Sequence, residues 1–154
     1  MPLTLTSPAF ADGDRLPRKY AREDRNLSPP LRWTGVPEGT ESLALALEDP
    51  EGLHGTVRHW LLYNLEADRR ELPESVETGP ERDRLHVARN DFGHRYYDGP
   101  EPPEGDPPHR CVFRLAALSV PSLSVPADAG AAQVWDEALK HAIEIAELAA
   151  LYQR

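Results

Sequence analysis

Asp49, His59 and His109 are the side chains whose types and placement can do chemistry in this chain. Each histidine lies in a run with strand-like alternation and falls among the apolar set. His59 belongs with Val57, Leu61, Tyr63 and Leu65, and His109 with Cys111, Phe113, Leu115 and Ala117. Asp49 stands before Pro50 at the end of a third apolar run. If these strands are neighbours, one carboxylate and two imidazoles meet at one sheet edge. Such a cluster suits a phosphate or a carboxylate, because a protonated imidazole is a charge-assisted donor and an aspartate can orient and charge it. The same residues also fit plainer roles. A histidine on an apolar face is often a core residue satisfied by a carbonyl, and Asp-Pro is a natural turn. Two histidines and a carboxylate can hold a metal ion, and a pocket histidine can act as general acid or base.

The elements that must position these residues are mostly short strands. Residues 2–10 alternate apolar and hydroxyl side chains, Leu31-Arg32-Trp33 sits between Pro/Gly turns, and Leu43 to Glu48 is apolar on both faces, which predicts a central strand. Strands follow over Val57 to Leu65, briefly over Leu85-His86-Val87, and over His109 to Ser119. Between Glu66 and Pro108 lies a long stretch rich in Pro, Gly and charge. Its second half, Phe92 to Pro108, is stiffened by Gly99-Pro100 and Pro102-Pro103 and is expected to wall the pocket. Residues Ala131 to Tyr152 carry apolar side chains at i, i+3, i+4 spacing and predict one helix. Strands followed by one late helix point to a β-sandwich or Greek-key core with a peripheral helix.

Composition narrows the function classes. A chain of 154 residues with 40% hydrophobic and 28% charged residues is sized for one globular domain, residues 1–154. The net charge of −9 repels phosphate backbones and anionic leaflets, which argues against nucleic acid as a partner. No apolar run approaches the roughly 18 residues of a transmembrane segment. The first ten residues lack the basic start and apolar core of a secretory signal, and Cys111 is the lone cysteine, so a cytoplasmic location is expected. There is no G-x-S-x-G, H-E-x-x-H or Gly-rich phosphate loop to mark an enzyme class.

The run from Ser28-Pro29-Pro30-Leu31-Arg32-Trp33 through Gly35-Val36-Pro37-Glu38-Gly39 to Leu43-Ala44-Leu45 resembles the signature stretch of bacterial phosphatidylethanolamine-binding proteins, also called the Raf-kinase-inhibitor-like family. Asp49-Pro50-Glu51 with His59-Trp60, then Asn90-Asp91-Phe92-Gly93, Gly99-Pro100-Glu101-Pro102-Pro103 and His109-Arg110, are similar to the family's further motifs. The resemblance runs end to end. It implies a mainly β fold: a central antiparallel Greek-key sheet flanked by a smaller sheet, with a C-terminal helix. It also implies a preformed pocket for a small anionic ligand, such as phosphate, carboxylate or a phospholipid head group, used without a cofactor or metal. The binding set it implies is Asp49, His59, His109, Gly99, Pro100 and Cys111. Three positions depart from the family pattern: Glu51 for a second Asp, Leu53 for Pro, and Cys111 for a pocket Tyr. A homodimer, and a kinase-inhibitor-like interaction with an unidentified protein partner, follow by analogy with relatives.

Overall fold

Leu43, Leu45 and Leu47 face one way and Ala44 and Ala46 the other, so their strand needs cover on both sides. The computed structural model, which describes residues 1–154, supplies it. The strands are β1 (Thr4–Thr6), β2 (Leu31–Thr34), β3 (Ser42–Asp49), β4 (Val57–Glu66), β5 (Glu71–Leu72), β6 (His86–Val87), β7 (His109–Leu118) and β8 (Ala142–Tyr152). One α-helix, α1 (Ala131–Leu139), precedes β8. Three strands form a small sheet in the order β1-β2-β5, and five form a larger one in the order β6-β4-β3-β7-β8. Every pairing between these strands is antiparallel. The chain is thus mainly β, two antiparallel sheets with one helix toward the C-terminus.

The main core lies between the sheets. Leu5, Leu31, Trp33 and Leu72 of the small sheet pack with Leu45, Leu47, Trp60, Leu62, Phe113 and Leu148 of the large one. Burying each Leu contributes on the order of 1.5 to 3 kcal/mol. A second cluster fills the other face of the large sheet, where Ala44, Ala46, Leu61 and Ala116 meet Val134, Trp135 and Ala138 of α1. Small residues on this face of β3 let the helix approach closely. All eight residues of β3 are buried, as expected for a strand covered on both faces.

The expected helix over 131–152 is corrected by the structure: α1 ends at Leu139, and 142–152 is strand β8. Ala, Glu and Leu favour a helix there, but tertiary pairing overrides that weak preference. β8 pairs with β7 from Ala142↔Leu118 to Tyr152↔His109. Its even positions Ala146, Leu148, Ala150 and Tyr152 turn into the main core while Ile143, Glu147 and Leu151 stay outside, a period of two.

The outer edge of β8 is not bare. Residues 12–16 run along it, with the Gly13 and Leu16 amides donating to the Ala149 and Leu151 carbonyls at 2.9 and 2.8 Å, and the Leu151 amide donating to the Asp14 carbonyl at 3.0 Å. Asp12 accepts from the Ala149 amide at 2.8 Å.

The expectation that Val57, His59, Leu61, Tyr63 and Leu65 share one face is also corrected. Leu61 and Tyr63 face α1, whereas Trp60, Leu62 and Leu65 face the main core. Two register shifts in β4 break the alternation. One lies near Asn64, whose φ of 53° is left-handed rather than extended. The other concerns the functional site.

Candidate functional site

Three strands deliver the three predicted residues to one place. Asp49 is the last residue of β3, His109 the first of β7, and His59 the third of β4. Along β4 the pairing passes from Leu47↔Trp60 to Glu48↔Arg58, so His59 is the extra residue of a β-bulge. A bulge re-aims a side chain that strict alternation would place elsewhere. His59 thereby joins Asp49 and His109 in the wall of a cavity of about 390 Å³, together with Arg22, Glu51, Phe92, Glu101 and Asp106. The loop expected to wall the pocket does so through Phe92, Glu101, Pro102, Pro103 and Asp106.

His109 is held between two carboxylates. Its Nδ1 lies 2.7 Å from Asp49 Oδ2 and its Nε2 3.2 Å from Asp106 Oδ2. The hydrogen bond to Asp49, reinforced by that to Asp106, holds the His109 pKa above its ordinary value against the opposing effect of burial. Asp49 is itself fixed, because its Oδ1 accepts from the Glu51 amide at 2.8 Å.

His59 is in the opposite situation. It is only 4% exposed, and burial pushes its pKa down. Its Nδ1 meets the Asp98 carbonyl at 2.9 Å, and since a carbonyl only accepts, Nδ1 carries the proton. The neutral ring then offers Nε2 to the cavity as a lone pair. Phe92 packs edge-on against the ring at 5.2 Å between centroids.

Beneath His59 lies a polar hub that the sequence reading missed. The Asp98 carboxylate, 2% exposed, accepts from Asn90 Nδ2 at 2.8 Å and meets His94 Nδ1 at 2.7 Å on the same oxygen. Arg22 Nε is 3.7 Å from its other oxygen, and the Arg22 guanidinium lies over the Phe92 ring at 4.5 Å. Asn90 also donates to the carbonyl of His59 at 3.0 Å, which ties the hub to β4.

Gly99 and Pro100 do not line the cavity; they lie behind it. A Cβ on Gly99 would sit 2.0 Å from the Tyr20 carbonyl oxygen, so only glycine allows this close approach. The Gly99 amide donates to Asn26 Oδ1 at 2.6 Å and the Pro100 carbonyl accepts from the Arg22 amide at 3.2 Å. These bonds set the path of the segment that carries Arg22. Cys111 is 1% exposed in the main core and also absent from the cavity wall, and burial pushes its thiol pKa up. Leu53, by contrast, lines the cavity mouth and is almost fully exposed.

The charge pattern of the wall is mixed. Four carboxylates (Asp49, Glu51, Glu101, Asp106) face one permanent cation, Arg22, and two imidazoles. The wall contains no Ser, Thr, Cys, Lys or Tyr. Arg22, Asp106 and Asp98 come from irregular segments without periodicity, and the one signal that could have found them is the density of Pro, Gly and aromatic residues around them.

Comparison with known proteins follows the same lines. The family model for phosphatidylethanolamine-binding protein matches residues 6–153. A UPF0098 protein of Aquifex aeolicus is 36% identical over 152 residues, covering 99% of this chain and 89% of the relative. The UPF0098 protein YbhB of Escherichia coli is 34% identical over 158 residues, covering 97% and 99%. Among solved structures, Escherichia coli YbcL, described as a new member of the mammalian PEBP family, aligns with a TM-score of 0.92 at 30% identity over 100% of this chain and 99% of its own. A phosphatidylethanolamine-binding protein homolog from Chlamydia trachomatis aligns with a TM-score of 0.87 at 32% identity over 99% and 98%.

Proposed function

This chain belongs to the phosphatidylethanolamine-binding protein family, and from that premise we propose that its cavity holds a small phosphorylated head group. The observation that carries the reading is the convergence of Asp49, His59 and His109 with Arg22 in one wall. Arg22 and the protonated His59 imidazole donate to the phosphate, the carboxylates serve an amine at its other end, and His109, whose two ring nitrogens are taken by Asp49 and Asp106, adds only its charge when protonated. Phosphoethanolamine has both groups and fits the mixed wall better than inorganic phosphate does. With a net charge of −9 on the whole chain, attraction must come from these short-range partners.

His59 gives the site its pH dependence. Neutral, its Nε2 accepts a hydrogen bond; protonated, it donates a charge-assisted one to phosphate. Burial shifts that change to lower pH than for a free histidine, so phosphate affinity rises as pH falls.

Calorimetric titration of phosphoethanolamine and of inorganic phosphate tests the proposal. The amine-bearing ligand should bind more tightly. Arg22→Ala removes a charge-assisted donor, commonly about 1.5 to 3 kcal/mol, and should weaken binding by roughly ten- to a hundredfold. Equal affinity in the wild type, Arg22→Ala and His59→Ala refutes the assignment.

A further inference from the structure

The end of β8 and the segment that follows residues 12–16 meet beside a second cavity, of about 220 Å³, which shares no wall residue with the head-group cavity. Arg15, Arg18 and Arg154 line it. Three like charges around one small volume repel one another, and none of them is neutralised in place, since none makes an ion pair. Two carboxylates share the wall, but neither ties up a guanidinium. Glu23 is engaged by the Tyr152 hydroxyl, and Glu104 is exposed on the turn before Gly105.

The arginines are positioned by the fold and keep donors to spare. Arg15 is set beside Leu151 by an isolated bridge. Its guanidinium carbon lies 5.6 Å from the centre of the Tyr152 ring, and its Nη2 is 3.5 Å from the Gln153 carbonyl. Arg154 donates from Nε to the Pro102 carbonyl at 2.6 Å, which anchors the head and leaves both Nη groups free. Arg18 stands on the single 3-10 turn Arg18–Tyr20 and spends no side-chain N–H on the protein. A guanidinium held on one side offers its remaining N–H groups at little further entropic cost, and its planar fork matches an oxyanion.

The neighbouring surface says what the oxyanion is attached to. A cleft of about 160 Å³ adjoins the cavity, sharing Arg15, Tyr152 and Gln153 with it, and its other walls are Pro108 and Leu151. Leu151 is 36% exposed there, so apolar area remains for an occupant to cover. Three guanidiniums suit a group with three acceptor oxygens and more than one negative charge. A phosphate monoester has three such oxygens and carries about −1.5 to −2 at neutral pH, whereas a single carboxylate has two and carries one.

We propose that Arg15, Arg18 and Arg154 form a second binding site, for the phosphate of a monoester carried on an apolar group that lies against Pro108 and Leu151. Clustered arginines are a recurring means of recognising phosphorylated groups. Because the chain as a whole carries −9, the attraction is local and is weakened by salt. The site is independent of the head-group cavity and stands or falls without it.

Phenyl phosphate titrated by calorimetry into the full chain at low ionic strength tests the proposal, with Arg22→Ala as the background so that the head-group cavity contributes least. One equivalent should bind. Adding Arg18→Ala or Arg154→Ala should weaken binding about five- to tenfold, the range between an exposed ion pair and a charge-assisted hydrogen bond. Arg84→Ala removes the same charge outside both cavities and should change nothing. Inorganic phosphate, which lacks the apolar part, and benzoate, which lacks the second charge, should both bind more weakly than phenyl phosphate. Circular dichroism of each variant separates loss of the site from loss of the fold. A peptide bearing phosphotyrosine distinguishes the source of the ester: tighter binding than phenyl phosphate assigns the site to a phosphorylated protein, and equal binding assigns it to a small molecule. Absence of saturable binding, unchanged affinity in both arginine variants, an equal loss in Arg84→Ala, or benzoate binding as tightly as phenyl phosphate overturns the inference.

Discussion

Replacing Asp98 by alanine removes the acceptor on which the floor of the cavity converges. The bond from Asn90 Nδ2, at 2.8 Å between two residues no more than 4% exposed, is the costly loss, and a buried hydrogen bond to a charged group is commonly worth about 1.5 to 3 kcal/mol. The contact with His94, whose side chain is 34% exposed, adds less, about 0.5 to 1 kcal/mol, because water replaces it. The 3.7 Å approach of Arg22, equally exposed, adds little. The whole change therefore costs about 2 to 4 kcal/mol. For a chain of this size each kcal/mol lowers Tm by roughly 2 to 4 °C, so a fall of about 4 to 16 °C is expected. Urea unfolding at pH 7 with a constant m value measures it directly. Asp98→Asn keeps an acceptor oxygen for Asn90 and should lose less than half as much. A loss below about 1 kcal/mol in Asp98→Ala would mean that the hub is decoration, and an equal loss in both variants would mean that charge rather than the accepting atom holds it.

Two further predictions follow from the titrating groups. Because Asp49 raises the folded pKa of His109, the folded state binds that proton more tightly than the unfolded chain; the resulting stability is complete below the unfolded histidine value near 6.5 and is lost as pH rises through the folded value. Urea midpoints measured across that range should show this loss in the wild type and not in Asp49→Asn, and identical pH profiles would contradict the pairing. Cys111 should react with a thiol reagent only on the timescale of opening, since it is 1% exposed and burial disfavours its thiolate; rapid stoichiometric labelling of the native protein, at the rate seen in urea, would show the residue to be accessible after all.

The parts of the fold that the sequence disclosed are those where pattern and packing agree. Leu43 to Leu47 read as a central strand because both faces are apolar, and both faces are in fact covered. Residues 142–152 failed because Ala, Glu and Leu give a helical stripe as readily as a strand, and only the ten-residue partner surface of β7 decides between them. At the site, Asp49 and His109 lie at strand ends and obey the alternation. His59 reached the cavity for a reason no alternation contains: a bulge, whose extra residue is visible only once β3 and β4 are in register. Arg22, Asp98 and Asp106 act from loops, where neighbours are set by chain path rather than by period. Gly99 and Pro100 stand out in sequence because they shape that path, one step behind the wall they were expected to form.

The strap of residues 12–16 along β8 has a kinetic consequence. It joins positions as far as 137 residues apart, which the packed core must first bring together. Such a contact forms late, after β7 and β8 have paired, and it is among the first to open. Hydrogen exchange should therefore see the amides of Gly13, Leu16 and Leu151 released together, well before those of β3. During each release the outer edge of β8 offers unpaired amides and carbonyls to any other strand, so the lifetime of the strap, rather than the stability of the core, sets how often two copies can join edge to edge.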